Sequence, residues 1–489
     1  MKICPLLSAA FATSLAFFTL ATPASAQIGR RFPSEKKIVA DPVTGIPLTF
    51  LTSTPAGDSK IYQTHPQWTS DGKWVIFRSS RAPGQAMAVN EETGDIVQVT
   101  DKGYTGMLCV ARLSMKLYVM RDPNAGRGRG SDATSASPQT AAAAEAAQAA
   151  TAAAAQATAG VPAGALGGGG GGRGGPRGPL QIVEIDLAKV FADSAAGTLK
   201  DGTAYERVCG TVPAEMRAGG DMALDANEAT AYFRTAGSDL ADKLAPGQKI
   251  AERYGPRGMG AGPAGLAGMN LTTGEIKFIV AVGFQIGHVQ TNPWVPGEII
   301  FCWETGGKAP QRTWTVMADG TGLRPLYPEA DYEWITHEAV ITKDEVALAI
   351  MGHVKIGAKT DWGVAGSRAH PTGLAIVNLR THEMRIAGQT KSGSGLWHVN
   401  GSSDGRWAVG DDFSRSLYLI DRHTDEMIML TTGHKPTASD HPHPTFNADG
   451  TKIEIESAML SADGRSMNIC IVPVPKSWLA RTYSDKIPQ

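Results

Sequence analysis

Three histidines in the C-terminal part of the chain have types and a spacing that suit metal binding. His398 and His443 each lie six residues before the Asp of an Asp-Gly turn, as does His65 near the N-terminus. His441 and His443 flank Pro442, and residues two apart in an extended segment point to the same side. Imidazole nitrogens select Zn, Mn, Fe or Ni, whereas Ca and Mg prefer oxygen. The pattern therefore predicts one divalent-metal site at His398, His441 and His443.

The segments that carry these histidines belong to a repeated strand-turn pattern. An Asp-Gly turn precedes a short apolar strand, a second strand ends in Asn or Asp, and a Thr-Gly or similar turn leads into a polar strand, as in residues 90–95, 270–275, 378–383 and 421–426. Such units are typical of four-stranded propeller blades, whose equivalent positions line one ring around a central channel. We predict an all-β fold, a β-propeller with seven blades of four antiparallel strands; six or eight blades stay open.

The ends of the chain and one long insertion depart from this pattern. Residues 1–26 combine a basic start, an apolar run and Ala-Ser-Ala, which predicts a signal peptide and a periplasmic or secreted protein. We expect an N-terminal extension at 27–39, a single propeller at 40–478 and a tail at 479–489. Residues 126–179 are rich in Ala and Gly and are predicted to form a disordered loop between two neighbouring strands.

Composition excludes several classes of protein. The chain has 46 basic and 47 acidic residues, so a nucleic-acid partner is not expected. No later apolar stretch approaches the roughly 20 residues of a membrane helix, so no membrane span is expected in the mature protein. Cys109, Cys209, Cys302 and Cys470 are too few for a disulfide scaffold, although one or two bridges are compatible with export.

Residues 287–475 contain motifs in the order and spacing of a known enzyme family. They are Gly287-His288, Ile299–Gly307 (IIFCWETGG), Arg312-Thr-Trp314, Ala318–Arg324 (ADGTGLR), Thr336-His337-Glu338, the His398 segment, His441–Pro444 and VPVPKSW near the C-terminus. The chain resembles oligogalacturonate lyases, and the resemblance is weaker before residue 280. It implies a seven-bladed propeller enzyme that cleaves short pectic uronides by β-elimination, and an oligogalacturonide or related oligosaccharide as substrate.

The resemblance also implies roles for individual residues. It makes His337 the base that abstracts the proton next to the uronate carboxylate, and Arg312 the partner that stabilises the resulting charge. It makes His398, His441 and His443 the ligands of a divalent metal, usually Mn²⁺.

Two positions depart from the family pattern. The family's fourth metal ligand, a glutamine three residues before the His-Pro-His pair, is Ala438 here; Asp440, His434 and His65 are the alternatives. Trp303 stands where the family has a histidine near the sugar-binding cleft.

Two other functions remain compatible with the sequence. One is a non-catalytic exported propeller that binds partners at its channel mouth. The other is a lyase or epimerase that acts on a different uronate-containing glycan with the same metal and base.

Overall fold

Seven antiparallel sheets form the molecule. The computed structural model describes residues 27–55, 57–124, 178–253, 258–331, 333–352, 372–389 and 395–483. The predicted signal peptide and nearly all of the Ala/Gly-rich insertion lie outside these ranges. Each sheet contains four or five antiparallel strands, and in five of the sheets these strands are consecutive in the chain, as in the blades of a propeller, so the predicted seven-bladed fold is confirmed.

The strands are numbered in chain order, and blades are numbered from the first complete sheet. Two short N-terminal strands are β1 (Arg31–Phe32) and β2 (Lys37–Ala40). Blade 1 contains β4 (Asp58–Lys60), β5 (Trp74–Ser79), β6 (Gln85–Asn90) and β7 (Ile96–Gln98). Blade 2 contains β8 (Thr105–Val110), β9 (Lys116–Arg121), β10 (Leu180–Asp186) and β11 (Glu206–Val212). Blade 3 contains β12 (Met222–Leu224), β13 (Thr230–Ala236), β14 (Ala261–Asn270) and β15 (Ile276–Phe284).

The remaining blades follow in the same way. Blade 4 contains β16 (Ile286–Thr291), β17 (Glu298–Trp303), β18 (Thr313–Met317) and β19 (Arg324–Pro325). Blade 5 contains β20 (Glu333–Thr342), β21 (Glu345–Gly352), β22 (Thr372–Asn378) and β23 (Met384–Gln389). Blade 6 contains β24 (Val399–Gly401), β25 (Trp407–Asp411), β26 (Leu417–Asp421) and β27 (Met427–Thr431). Blade 7 contains β28 (Thr445–Phe446), β29 (Lys452–Ser457), β30 (Asn468–Pro473) and, from the N-terminus, β3 (Pro47–Phe50).

The N-terminal strands close the propeller. β3 pairs with β30, and β2 pairs with β3, so blade 7 is built from both ends of the chain. β1 adds a fifth strand to blade 1 by pairing with β7. Residues 27–39, which the sequence sets apart as an extension, therefore contain strands of two blades. Such short edge strands have too few residues to show a periodic pattern.

Packing between neighbouring blades supplies the core. Ile76 and Ala88 of blade 1 pack with Leu117 and Val183 of blade 2, and comparable clusters join the other blades. Burying a large aliphatic side chain contributes about 1.5–3 kcal/mol to the free energy of folding. Apolar residues on both faces of each blade therefore stabilise the fold. All four cysteines of the described chain are buried and unbridged.

Helices are few and connect strands. Helix α1 (Leu187–Ala196) follows β10; the Asp186 side chain accepts a hydrogen bond from the Lys189 amide at its start, and Gly197 (φ 68°) ends it. Short 3₁₀ turns are Gly202–Ala204, Ala214–Met216 and Ser238–Lys243, and helix α2 (Lys476–Leu479) lies near the C-terminus. Within the described chain, no helix has the length and apolarity needed to span a membrane.

The insertion joins adjacent strands. β9 and β10, which flank it, pair antiparallel from Gln181 opposite Arg121 to Asp186 opposite Lys116. The prediction that these two segments are neighbours within one blade is confirmed.

Candidate functional site

The site lies where the innermost strands of several blades begin. The first strands of the blades are β4, β8, β12, β16, β20, β24 and β28, and from β8 to β28 each contacts the next around the channel. In β16 and β20 the pairing register breaks at His288 and His337, which have φ values of 50° and 54°. A bulge with a left-handed residue changes the direction of its side chain. Non-glycine residues pay an energetic cost in this conformation, so its occurrence is a reason to look for function.

A buried ion-pair network surrounds Arg312, which precedes β18. Its Nε donates a hydrogen bond to Glu338 Oε2 at 3.2 Å, and its Nη2 lies 3.7 Å from Glu304 Oε2. His288 belongs to the same network, with Nδ1 3.2 Å from Glu338 Oε1 and Nε2 3.5 Å from Glu304 Oε2. The cluster therefore combines two carboxylates with one guanidinium and one imidazole.

The charges of this network change the pKa values of its members. Burial alone would raise the pKa of Glu338, but Arg312 and His288 lower it to about 2. Burial disfavours the charged form of His288, yet the Glu338 and Glu304 carboxylates raise the pKa of this imidazole above its usual value despite the opposing charge of Arg312. His288 is thereby favoured as an imidazolium.

His337 has the opposite character. Its Nδ1 lies 2.7 Å from the Tyr62 hydroxyl, whereas its buried Nε2 has no hydrogen-bond partner among the described residues. Burial, followed by the nearby His398 and Arg312, holds the pKa of His337 well below its usual value. The ring is neutral at physiological pH, and a proton on Nδ1 that is donated to Tyr62 leaves the lone pair on Nε2.

The three histidines predicted as metal ligands lie together. The His398 ring centroid is 3.6 Å from that of His443 and 5.1 Å from that of His441. His398 and His441 are fully buried and His443 is nearly so, and His398 is also 4.2 Å from His337. The His441 and His443 rings lie among packed side chains.

Two carboxylates complete the possible donor set. Asp411 Oδ2, at the end of β25, lies 3.3 Å from the Nδ1 atoms of both His398 and His441. Asp440 Oδ1 lies 3.0 Å from His443 Nε2. Around these histidines, potential ligand atoms fall into two groups, His398 with Asp411 and His441, and His443 with Asp440 and Glu456; a third group in the described chain, His288 with Cys302 and Glu338, belongs to the Arg312 network.

One contact limits how His441 could bind a metal. The Arg415 guanidinium donates from Nη1 to His441 Nε2 at 2.6 Å, so that lone pair is already used. Nδ1, beside Asp411, is the nitrogen that remains for a cation in this arrangement. Burial lowers the pKa of His441 to about 4, which keeps the ring in the neutral form that metals require.

Two alternatives for the fourth ligand are occupied elsewhere. Both ring nitrogens of His65 have protein partners, the Thr64 hydroxyl and the Met222 carbonyl, each at 2.8 Å. Both nitrogens of His434 meet hydroxyls, those of Thr431 and Ser457. Asp440 is the remaining alternative of the three.

The positions that depart from the resembling family are both packed. Ala438 is buried against Ala458 and Met467. Trp303 stacks on Phe284 at 5.0 Å and donates from its indole nitrogen to the Gly260 carbonyl at 2.9 Å. An indole in this position adds apolar surface where a histidine would offer a polar nitrogen.

Sequence reasoning did not assign the partners of the key histidines. Glu338 and His288 were noted only as parts of motifs, and Asp411 and Tyr62 were not considered as site residues. Asp411 ends a strand with the sequence WAVGD, and its distance in sequence from His398 gives no signal of contact. Tyr62 and Gln63 follow the first inner strand, and Gln63 Oε1 lies 3.1 Å from His443 Nδ1.

The described residues thus form a seven-bladed β-propeller with histidines, arginine and carboxylates gathered at one end of its channel. The fold is similar to that of solved oligogalacturonate lyases. A manganese complex of such a lyase has a TM-score of 0.63 and 17% identity, with 93% of this chain and 100% of the other covered. The enzyme from Vibrio parahaemolyticus has a TM-score of 0.62 and 16% identity, with the same coverage. No protein-family model and no curated protein matches the sequence.

The donor set fits a divalent metal. Imidazole nitrogens and carboxylate oxygens are ligands of Mn²⁺, Zn²⁺ and Fe²⁺. Asp411 is fully buried beside His398 and His441, and a cation there would compensate its charge. A divalent metal is therefore plausible at His398, His441 and Asp411, with His443 and Asp440 adjacent.

Proposed function

We propose that this protein is a divalent-metal-dependent lyase that cleaves oligogalacturonides, or closely related short uronides, by β-elimination to 4,5-unsaturated products. The observation that carries the proposal is the pairing of a neutral histidine with a buried arginine that carboxylates hold in place. His337 Nε2 lacks a hydrogen-bond partner in the described chain, and Arg312 is held nearby by Glu338. The fold shared with oligogalacturonate lyases supports the same chemistry.

The proposed base is His337. Abstraction of the C5 proton requires a lone pair within reach of that proton, and the neutral ring of His337 can offer one at Nε2. The Tyr62 hydroxyl orients the ring through Nδ1, which directs Nε2 away from that contact. Tyr62 is thus a positioning residue for the base.

Arg312 is the proposed charge-stabilising group. Removal of the C5 proton moves negative charge onto the uronate carboxylate, and fixed cationic groups stabilise that charge without having to reorganise. The Nε ion pair with Glu338 fixes the guanidinium plane. Because the arginine is nearly fully buried, its field is screened little by water.

The proposed metal ligands are His398, His441, His443 and the carboxylates of Asp411 and Asp440, with Mn²⁺ as the favoured ion. A divalent cation held there would supply positive charge beside the substrate carboxylate. Asp411 takes over part of the ligand role that the resembling family gives to glutamine at the position of Ala438.

We also propose that the protein is exported to the periplasm or beyond, with cleavage after Ala26. Mass determination of the mature N-terminus from a fractionated host would test this. A mature protein that starts at Met1 in the cytoplasm would contradict it.

The lyase proposal is tested by ultraviolet absorbance of the conjugated product. Purified mature protein is incubated with Mn²⁺ and a panel of oligouronides, with a chelator-treated control. We expect absorbance to rise with oligogalacturonides and the chelator to abolish the rise. A rise only with another uronide would change the substrate, and metal binding without any product would favour a propeller that only binds its partners.

A further inference from the structure

Elimination needs an acid as well as a base, because the departing sugar oxygen is a poor leaving group until it is protonated. His337 and Arg312 account for proton abstraction and charge stabilisation. The acid must be a protonated group near His337 that reaches the channel. His288 meets these requirements.

The position of His288 pairs it with the base across two blades. Its ring centroid lies 6.5 Å from that of His337, and the Tyr62 ring lies between blades 1 and 4 at 4.9 Å from His288. Both histidines occupy the bulge of an inner strand, with φ values of 50° and 54°. This spacing would allow the two rings to act on one sugar.

The contacts of His288 hold one nitrogen and leave the other adaptable. Nδ1 is ion-paired with Glu338 at 3.2 Å, and the Glu338 side chain is fully buried. Among the described residues, Nε2 has a long contact of 3.5 Å with Glu304, beyond the normal range for an N–H···O hydrogen bond. The side chains of His288 and Glu304 are 19% and 18% exposed, so this nitrogen faces the accessible side of the network.

We propose that His288 is the general acid of this site and that its Nε2 proton is transferred to the glycosidic oxygen that leaves C4. This assignment rests on the proposed lyase function. Groups whose environments set opposite protonation states mark the acid and the base of a reaction. His288 lies between the Glu338 and Glu304 carboxylates, which favour its protonated form, whereas His337 Nε2 has no hydrogen-bond partner among the described residues.

The proton and electron balance is simple. The C5–H bond breaks as His337 Nε2 takes the proton, and the C–H electron pair forms the C4=C5 double bond. The C4–O bond breaks with its electron pair on oxygen, and that oxygen takes the His288 proton. His337 then releases one proton to water and His288 takes one up, which restores the starting state.

Several charged or titratable groups face His288, and each affects its protonation. They come from different elements: Glu304 after β17, Arg312 before β18, Glu338 in β20, Tyr62 after β4, and Asp221 before β12, with His65 acting at longer range. The carboxylates outnumber the nearby guanidinium. A substrate oxygen that approaches Nε2 would replace the long contact with Glu304.

The test compares His288→Asn with wild type on two leaving groups. Asn tolerates a left-handed φ better than most residues, so the substitution suits the bulge. The matched control is His382→Asn, an exposed turn histidine with φ 63°. The substrates are an oligogalacturonide and a uronide that carries para-nitrophenoxide at C4, a group that leaves without protonation.

We expect His288→Asn to slow elimination of the sugar leaving group by about 10²–10³-fold. Elimination of nitrophenoxide should fall by less than about tenfold, and exchange of the C5 proton in deuterated water should persist, because the base remains. His382→Asn should match wild type on both substrates.

Two results would overturn the proposal, and they are distinguishable. Equal losses on both substrates, together with loss of C5 exchange, would make His288 a positioning residue for Arg312 and leave the lyase proposal intact. A wild-type protein that gives neither unsaturated product nor C5 exchange with any uronide would overturn the lyase proposal and the acid together.

Discussion

The inner strands of blades 2 and 5 contain the same kind of backbone bulge, but the residue in the left-handed conformation is glycine in blade 2 and histidine in blade 5. In β8 the register breaks around Gly106 (φ 76°), and in β20 it breaks around His337 (φ 54°). A Cβ on Gly106 would lie 2.1 Å from the Gly220 carbonyl oxygen of blade 3. The inner ends of blades 2 and 3 thus meet backbone to backbone, whereas blade 5 places an imidazole at the corresponding bulge.

The comparison distinguishes the bulge, which belongs to the repeated fold, from the histidine, which belongs to the candidate site. The repeat provides a bulge at the start of an inner strand, and glycine occupies it at little cost. A left-handed conformation costs a non-glycine residue about 1–2 kcal/mol. Histidine is retained in blades 4 and 5 despite that cost, which supports a functional explanation for both bulges.

The largest expected effect is on the elimination rate and comes from removing the proposed base, His337 of blade 5. His337→Asn should reduce elimination by about 10³-fold while the fold persists, because Asn accepts the left-handed conformation. The rate of appearance of unsaturated product measures this, with circular dichroism and thermal unfolding as checks on folding. Activity within a few-fold of wild type would remove His337 from the mechanism.

On the glycine side, Gly106→Ala should destabilise the protein without a direct effect on the chemistry. The new Cβ meets backbone, which has little freedom to move, so we expect a loss of about 3 kcal/mol or more from strain and overpacking. Gly84→Ala is the matched control, because Gly84 has φ 75° and nothing within 4 Å of its Cβ position. Urea unfolding of both variants gives the difference, and equal losses would show that the close contact between blades 2 and 3 is unimportant.

A third prediction concerns Glu338, which follows His337 in β20, and the pH dependence of the free energy of unfolding. The pKa of Glu338 is about 2 in the folded protein against a usual 4.5. The unfolded chain therefore binds this proton at higher pH than the folded protein does. The contribution of the carboxylate is present above its usual pKa and is lost as the pH falls towards 2.

Its size follows from the pKa difference. The contribution is of the order of 3 kcal/mol near neutral pH. Glu338→Gln should lower the free energy of unfolding at pH 6 and should flatten its decline in acid; urea titrations at a series of pH values measure both. Parallel curves for the two proteins would mean that the ion pair with Arg312 does not control acid stability.

Repetition made much of the fold predictable. Asp-Gly turns, strands of the type WVIF and Asn- or Asp-terminated strands indicated the blades, and they also indicated that the residues around the insertion are neighbours. β1 and β2 were missed because edge strands this short have no usable pattern. Helix α1 was missed because its ten residues follow directly on a strand, without an intervening turn. On its apolar face, Phe191 stacks on Trp74.

The candidate site was predictable only in part. Repeat phase marked His398, His443 and His65 alike, but phase fixes the backbone position and not the partner of the side chain. His65 donates from Nε2 to the Met222 carbonyl and contacts the Thr64 hydroxyl through Nδ1, whereas His398 meets Asp411. Pairings between residues of different strands, such as His288 with Glu338, have no short-range sequence signal.

The smallest expected effect is on Mn²⁺ affinity. It compares the surroundings of the proposed metal ligands His398 and His441 with those of His434. Asp411→Asn keeps the shape of the side chain but removes the charge beside His398 and His441. Loss of an outer-sphere or ligand carboxylate typically lowers metal affinity about 10–100-fold. We expect this loss for Mn²⁺, measured by competition with a chromogenic chelator, a readout that does not depend on activity.

His434→Gln is the matched comparison, because both of its ring nitrogens already meet hydroxyls. This variant should lose stability but bind Mn²⁺ as wild type does. If Asp411→Asn bound the metal normally and His434→Gln did not, the metal would bind near His434 and not near Asp411. A cation at His398 and Asp411 would instead explain why a carboxylate with no exposed surface is stable at this position, since charge that balances it would come from the metal.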